Sequence, residues 1–133
     1  MADTKRNVCI VTGSSSGIGA ATAQRFAKAG YDVVINFSRE EAPAQAVAAL
    51  CRAHDVDVAV QKADVSKDAD CRRLADFVAA KWGRASVLVN NAGRTKFVAL
   101  KDLDGISAED FQSIYAVNAI GPALLAEATQ RAG

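Results

Sequence analysis

The sequence predicts an α/β protein built on a doubly wound parallel sheet. Three observations carry this. Short apolar runs at residues 8–12, 33–37, 56–60 and 86–90 alternate with helix-length amphipathic segments. Runs such as Val87, Leu88 and Val89 are continuously apolar, which suits strands covered on both faces rather than on one. The first run passes directly into a turn containing three glycines, and that turn opens an alanine-rich helix. Parallel strands joined by helices of this length make right-handed crossovers.

The first helix is expected to open at Gly17 and to bury Ile18, Thr22, Phe26 and Ala29, with Gly30 closing it. The second follows Ser38, Arg39, Glu40 and Glu41, accepts Pro43 in its opening turn, and presents Val47, Leu50 and Cys51. The third has Ser66 as its expected N-cap, a stripe of Cys71, Leu74, Phe77, Val78 and Trp82, and Gly83 at its end. Beyond the fourth run lies an irregular stretch carrying Phe97, Leu100 and Leu103. A last helix is expected near Ser107, where Ser107 and Asp110 have capping-box spacing, with Phe111, Ile114, Tyr115, Asn118 and Leu125 facing inward.

Composition fits a single domain over residues 1–133, with 50% hydrophobic residues to fill a core. Sixteen basic and fifteen acidic residues leave a net charge of +1, and no basic stripe marks a nucleic-acid partner. Cys9, Cys51 and Cys71 are odd in number and widely spaced, which fits buried thiols of a reducing compartment better than disulfides. The N-terminal residues lack the apolar core of a signal peptide, and no segment has the length of a membrane span. The cytoplasm is the expected location, and no membrane contact is expected.

The chemistry concentrates in the glycine turn. Gly13, Gly17 and Gly19 follow the spacing G-x-x-x-G-x-G, which lets the chain turn off the strand end and bring peptide N–H groups and a helix N-terminus to a diphosphate. This is the pattern of a dinucleotide site. The end of the second strand bears on which dinucleotide. An acidic side chain there accepts from a ribose 2′-hydroxyl, whereas a 2′-phosphate needs a cation. The chain reads Asn36, Phe37, Ser38, Arg39. With no carboxylate at 36 and the donor fork of Arg39 nearby, Ser38 and Arg39 are the expected 2′-phosphate contacts and NADP the expected cofactor. NAD is the alternative, since Ser16 supplies no positive charge within the turn. His54 stands without Cys or His neighbours, so no metal site is expected. Neither a G-x-S-x-G elbow nor a Walker lysine is present.

The stretch TGSSSGIG at 12–19 resembles the TGxxxGIG loop of the short-chain dehydrogenase/reductase family, and NNAG at 90–93 resembles that family's second motif. The resemblance implies a Rossmann-type sheet with strands in the order 3-2-1-4. It implies that Gly13, Ser15, Ser16, Gly17, Ile18 and Gly19 hold the pyrophosphate and adjoining ribose. It also implies that Asp64 and Val65 receive the adenine and that Asn91, Ala92 and Gly93 border the cofactor. Asn118 matches the asparagine of the family's Asn-Ser-Tyr-Lys set. The local sequence adds a reason: Pro122, four residues on, has no N–H, so the Asn118 carbonyl lacks its helical partner and is open to water.

Hydride transfer to a carbonyl needs a proton donor, which in this family is a tyrosine followed four residues later by lysine. Tyr31 is followed by Ile35 and Tyr115 by Ala119, so no Tyr-x-x-x-Lys occurs. Four strands are visible, and the expectation is the cofactor half of a longer enzyme whose catalytic Ser, Tyr and Lys lie elsewhere. The resemblance implies an oxidoreductase acting between NADP(H) and a carbonyl or alcohol substrate, similar to 3-oxoacyl-carrier-protein reductases, and a homo-oligomer. The alternative reading is a non-catalytic dinucleotide-binding module or a structural subunit.

Overall fold

A computed structural model describes residues 6–92 of the chain. These residues form β1 (Val8–Val11), α1 (Gly17–Lys28), β2 (Asp32–Phe37), α2 (Glu41–Arg52), β3 (Val58–Lys62), α3 (Asp68–Trp82) and β4 (Val87–Val89). The strands make one sheet in the order β3-β2-β1-β4. Every pairing is parallel, with Ile10 beside Val34 on one side and Leu88 on the other. The last helix, its stripe and Phe97, Leu100 and Leu103 lie outside the described residues.

Alternation along the strands divides the core in two. Cys9, Val11, Val33, Ile35 and Phe37 point to one face, where the buried alanines of α1 and α2 meet them. Val8, Ile10 and Val34 point to the other, against Val65, Cys71, Leu74 and Val78. Helices therefore cover both faces of the sheet, and both central strands are buried along their full length.

Several local expectations are corrected. In α1 the buried face is Gly19, Ala20, Ala23 and Ala27, while Ile18 is 79% exposed. Small residues let the helix lie close to the sheet, and closeness decides the face over side-chain size. Phe26 packs half-buried against the same core, as expected, and meets the Tyr31 ring edge-on at 4.9 Å. That contact accompanies a Schellman end, in which the N–H groups of Gly30 and Tyr31 reach the carbonyls of Ala27 and Phe26 at 3.0 Å each. In α2, Leu50 faces solvent, and Ala44 and Ala48 join Val47 and Cys51 inside. The third strand runs to Lys62 rather than ending at Val60, because its ladder follows β2 as far as the pair Phe37 and Lys62. Ser66 does not cap α3. Lys67 occupies the N-cap, and the Ser66 hydroxyl donates to Asp64 Oδ1 at 2.6 Å.

Cys9, Cys51 and Cys71 are buried and make no disulfide. Burial pushes the Cys9 thiol up to about 12. Burial, with added repulsion from Asp68, Asp70 and Asp64, pushes Cys71 up to about 11. Cys51 is also raised by burial, and Arg52 offsets part of that. No described helix is long and apolar enough to cross a membrane.

The folded state thus retains thiol protons that the unfolded chain releases from about 9 upward. The associated stability is complete below that pH and is lost as pH rises through the folded values. Denaturant midpoints are expected to fall steadily between about pH 9 and 11. A thiol reagent at about pH 8 should leave the native thiols unlabelled and modify all three after denaturation. Rapid labelling of the native protein would contradict this burial.

Candidate functional site

All four strands run the same way, so the carboxyl ends of β1, β2 and β4 share one rim of the sheet. Strand order places β1 between the other two. The segment from Thr12 to Ser16 joins β1 to α1 at this rim, and its polar groups are claimed from both sides.

Toward β4, the Thr12 N–H donates to the Val89 carbonyl at 3.0 Å. Its hydroxyl accepts the N–H groups of Asn91 and Ala92 at 3.0 Å each, and donates weakly to the same Val89 carbonyl at 3.4 Å. Asn91 Nδ2 donates to the Gly13 carbonyl at 3.1 Å. The chain passes so close here that a Cβ at Gly13 would lie 2.9 Å from Ala92 Cα. A Cβ at Gly19 would strike the Gly13 carbonyl and the Asn91 carboxamide.

Toward β2, the Gly13 N–H donates to Asn36 Oδ1 at 3.0 Å. The Ser14 N–H donates to the Asn36 carbonyl at 3.0 Å, and the Asn36 N–H donates to Ser14 Oγ at 2.9 Å. Both polar backbone groups of Gly13 are therefore engaged within the protein. Its part is to shape the turn, and amides presented outward come from Ser15 onward.

The chain then enters α1 through Gly17, whose φ of +57° favours glycine and whose missing Cβ faces open space. Ser16 occupies the N-cap in extended backbone but makes no side-chain cap, and the first turn holds no acidic residue. The first N–H groups of the helix keep their partial positive charge for an external anion. Ser16, Gly17 and Ile18 are exposed around this end.

Beside it opens a cleft of about 360 Å³, lined by Ser15, Ser16, Phe37, Ser38, Arg39, Glu40 and Pro43. The structure thus brings the glycine turn and the end of β2 together around one space. Arg39 is exposed and has no ion-pair partner among the described residues, so neither Glu40 nor Glu41 neutralises it at contact distance. Glu41 instead accepts a hydrogen bond from Gln45.

Asp64 and Val65 are not among the residues that line this cleft. Asp64 Oδ1 accepts the N–H and the hydroxyl of Ser66 at 3.0 and 2.6 Å. Its own N–H donates to Asp70 at 2.7 Å. Arg73 holds the same loop, through Asp70 at 3.2 Å and the Lys62 carbonyl at 2.6 Å. The Val65 side chain is in the core, leaving only its backbone for a ligand. Asn91 and Ala92 lie at the end of β4 against the glycine turn, as described. Gly93, Asn118, Pro122 and Tyr115 lie outside the described residues. His54 is exposed, and the described residues contain no cluster of His, Cys, Asp and Glu able to hold a metal.

Sequence reasoning missed the work of Thr12, Ser14 and Asn36. One signal was available: an asparagine inside the apolar run VVINF must find polar partners within the fold.

The chain matches the model of the short chain dehydrogenase family over residues 7–132. It is 45% identical over 114 residues to a protein named as a ketoacyl reductase of the granaticin polyketide synthase from Streptomyces violaceoruber, covering 86% of this chain and 44% of that protein. Its structure is similar, at a TM-score of 0.88, to a short chain dehydrogenase from Burkholderia cenocepacia solved in complex with NADP. That pair shares 32% identity over 97% of this chain and 52% of the other. A metagenomic short-chain oxidoreductase, also solved with NADP, matches at a TM-score of 0.86 and 33% identity, covering 95% of this chain and 56% of its own. The chain spans about half the length of the curated relatives it matches. The family match runs from the start of β1 through the stitched turn and past it, and the chain belongs to the short-chain dehydrogenase family.

Proposed function

We propose that this chain supplies the cofactor half of a cytoplasmic oxidoreductase that moves a hydride between NADP(H) and a carbonyl or alcohol carbon of a small molecule. The observation that carries the reading is the cleft shared by Ser15 and Ser16 of the glycine turn with Ser38 and Arg39. The residues present fit the group. Uncapped N–H groups at the start of α1 suit a diphosphate, and a guanidinium with no ion-pair partner among the described residues suits a 2′-phosphate across the cleft.

When bound, the nicotinamide supplies the hydride. The chain's own residues hold and orient it. Ser15, Ser16, Gly17, Ile18 and Gly19 grip the pyrophosphate, while Ser38 and Arg39 grip the 2′-phosphate. Gly13, Asn91 and Ala92 form the floor beside it, and Gly93 follows them in the same motif. Asp64 and Val65 border the adenine from the loop after β3. Asn118, four residues before Pro122, is the residue proposed to hold a water that passes a proton. Glu40 lines the same cleft and is the group that would accept a ribose 2′-hydroxyl, so NAD is the second reading. That no described residue forms an ion pair with Arg39 favours NADP. A ketoacyl reductase among the relatives supports a carbonyl substrate, and a homo-oligomer is the proposed assembly.

Arg39→Gln is expected to weaken NADP binding by about 10- to 100-fold, the worth of one charge-assisted contact to phosphate, and to change NAD affinity by less than about twofold. Calorimetric titration with both cofactors checks this, and equal losses would overturn the NADP reading. Gly19→Ala places a methyl group against the Gly13 carbonyl and Asn91, so binding of both nucleotides should fall by about tenfold or more. The 133-residue chain, which has no Tyr-x-x-x-Lys, should bind nucleotide without oxidising NADPH against any carbonyl. Absorbance at the NADPH band would reveal turnover, and turnover would contradict the need for that pair.

A further inference from the structure

The next-to-last residue of β2 is an asparagine that the proposed cofactor contacts do not use. Asn36 is 2% exposed, so its carboxamide must be satisfied inside the protein. Its Oδ1 accepts the Gly13 N–H at 3.0 Å. Its Nδ2 donates to the carbonyls of Gln61 and Ala63 at 3.2 Å each, with the Phe37 carbonyl at 3.4 Å. Acceptors surround one end and a donor meets the other, so the chemistry fixes which way the amide is turned. The main chain of the same residue exchanges bonds with Ser14, whose hydroxyl passes on to the Val11 carbonyl at 2.7 Å. One side chain thus ties the first residue of the glycine turn to the loop that follows β3.

The position has a second meaning. An acidic residue at the end of this strand ordinarily accepts from a ribose 2′-hydroxyl. Here the last residue of the strand, Phe37, lines the cleft, while the side chain at 36 is turned inward to Gly13 and to the carbonyls of Phe37, Gln61 and Ala63 and lines no part of it. A carboxylate in its place would keep the Gly13 contact but set its other oxygen against the carbonyls of Gln61 and Ala63, at a position only 2% exposed.

We infer that Asn36 is a positioning residue that fixes the glycine turn on β2 and β3 without selecting the cofactor. The inference rests on the dinucleotide reading above.

The test compares wild-type protein with Asn36→Asp, Asn36→Ala and Ser38→Asp. It reads NADP and NAD dissociation constants, and amide exchange at Gly13 and Ser14 without nucleotide. Asn36→Ala should speed exchange at both amides by about tenfold or more, because their acceptor is lost or loosened. Both Asn36 variants should weaken NADP and NAD by similar factors, keeping their ratio within about twofold. Ser38→Asp should instead shift the ratio toward NAD by about tenfold and leave the exchange rates unchanged. A shift toward NAD in Asn36→Asp would overturn the inference, as would unchanged exchange in Asn36→Ala. Wild-type protein that binds neither nucleotide would overturn the dinucleotide reading instead, while the exchange comparison would still decide the positioning role of Asn36.

Discussion

A parallel strand that stops beneath a tight turn leaves backbone donors and acceptors where water cannot reach them, and each one left unpaired costs about 1–3 kcal/mol. In this chain the difficulty falls at the end of β1, between buried β2 and half-buried β4. Thr12 answers it on the β4 side by accepting two N–H groups through one hydroxyl. Asn36 answers it on the β2 side by accepting the Gly13 N–H. Gly13 is held between them, its N–H drawn one way and its carbonyl the other. The shape of the turn follows from this pairing, and with it the direction in which the later amides point.

The same constraint governs α1. Its first turn must sit directly over the end of β1 for its dipole to meet a ligand there, and the Gly13 carbonyl and Asn91 leave no room for a Cβ at Gly19. A helix held that close can bury only small side chains, which accounts for Ala20, Ala23 and Ala27 inside. Ile18 is turned outward at the mouth of the site as the complement of that packing. Fold and binding geometry are one requirement here, since the contact that seats the helix also aims it.

What the sequence made legible was whatever depended on order and local chemistry. Alternating apolar runs and helices, with TGSSSGIG after the first run and NNAG after the last, were enough to predict the sheet order that the structure has. What escaped depended on distance between segments remote in the chain. The buried face of α1 follows from how near it lies to the sheet, not from the size of Phe26. The end of β3 follows from the length of β2. Ser66 has the composition of a cap, but Asp64 two residues earlier captures its hydroxyl. Asn36 was legible as a missing carboxylate, and its partners, at Gly13 and Ala63, lie too far along the chain for local pattern to reveal.

Asn36 and Arg39 are three residues apart, yet one is buried and the other is exposed. That difference separates two tasks. A buried carboxamide with four fixed partners cannot respond to the charge of a ligand without disturbing the turn, so it supplies geometry. An exposed guanidinium is screened by salt and gives up side-chain freedom on binding, but it can be exchanged without any cost to the sheet, so it supplies discrimination. On the proposed reading, the turn is held from below by Asn36 and the nucleotide is met from outside at 38 and 39, so a change at those two positions leaves the turn from Thr12 to Gly19 its form.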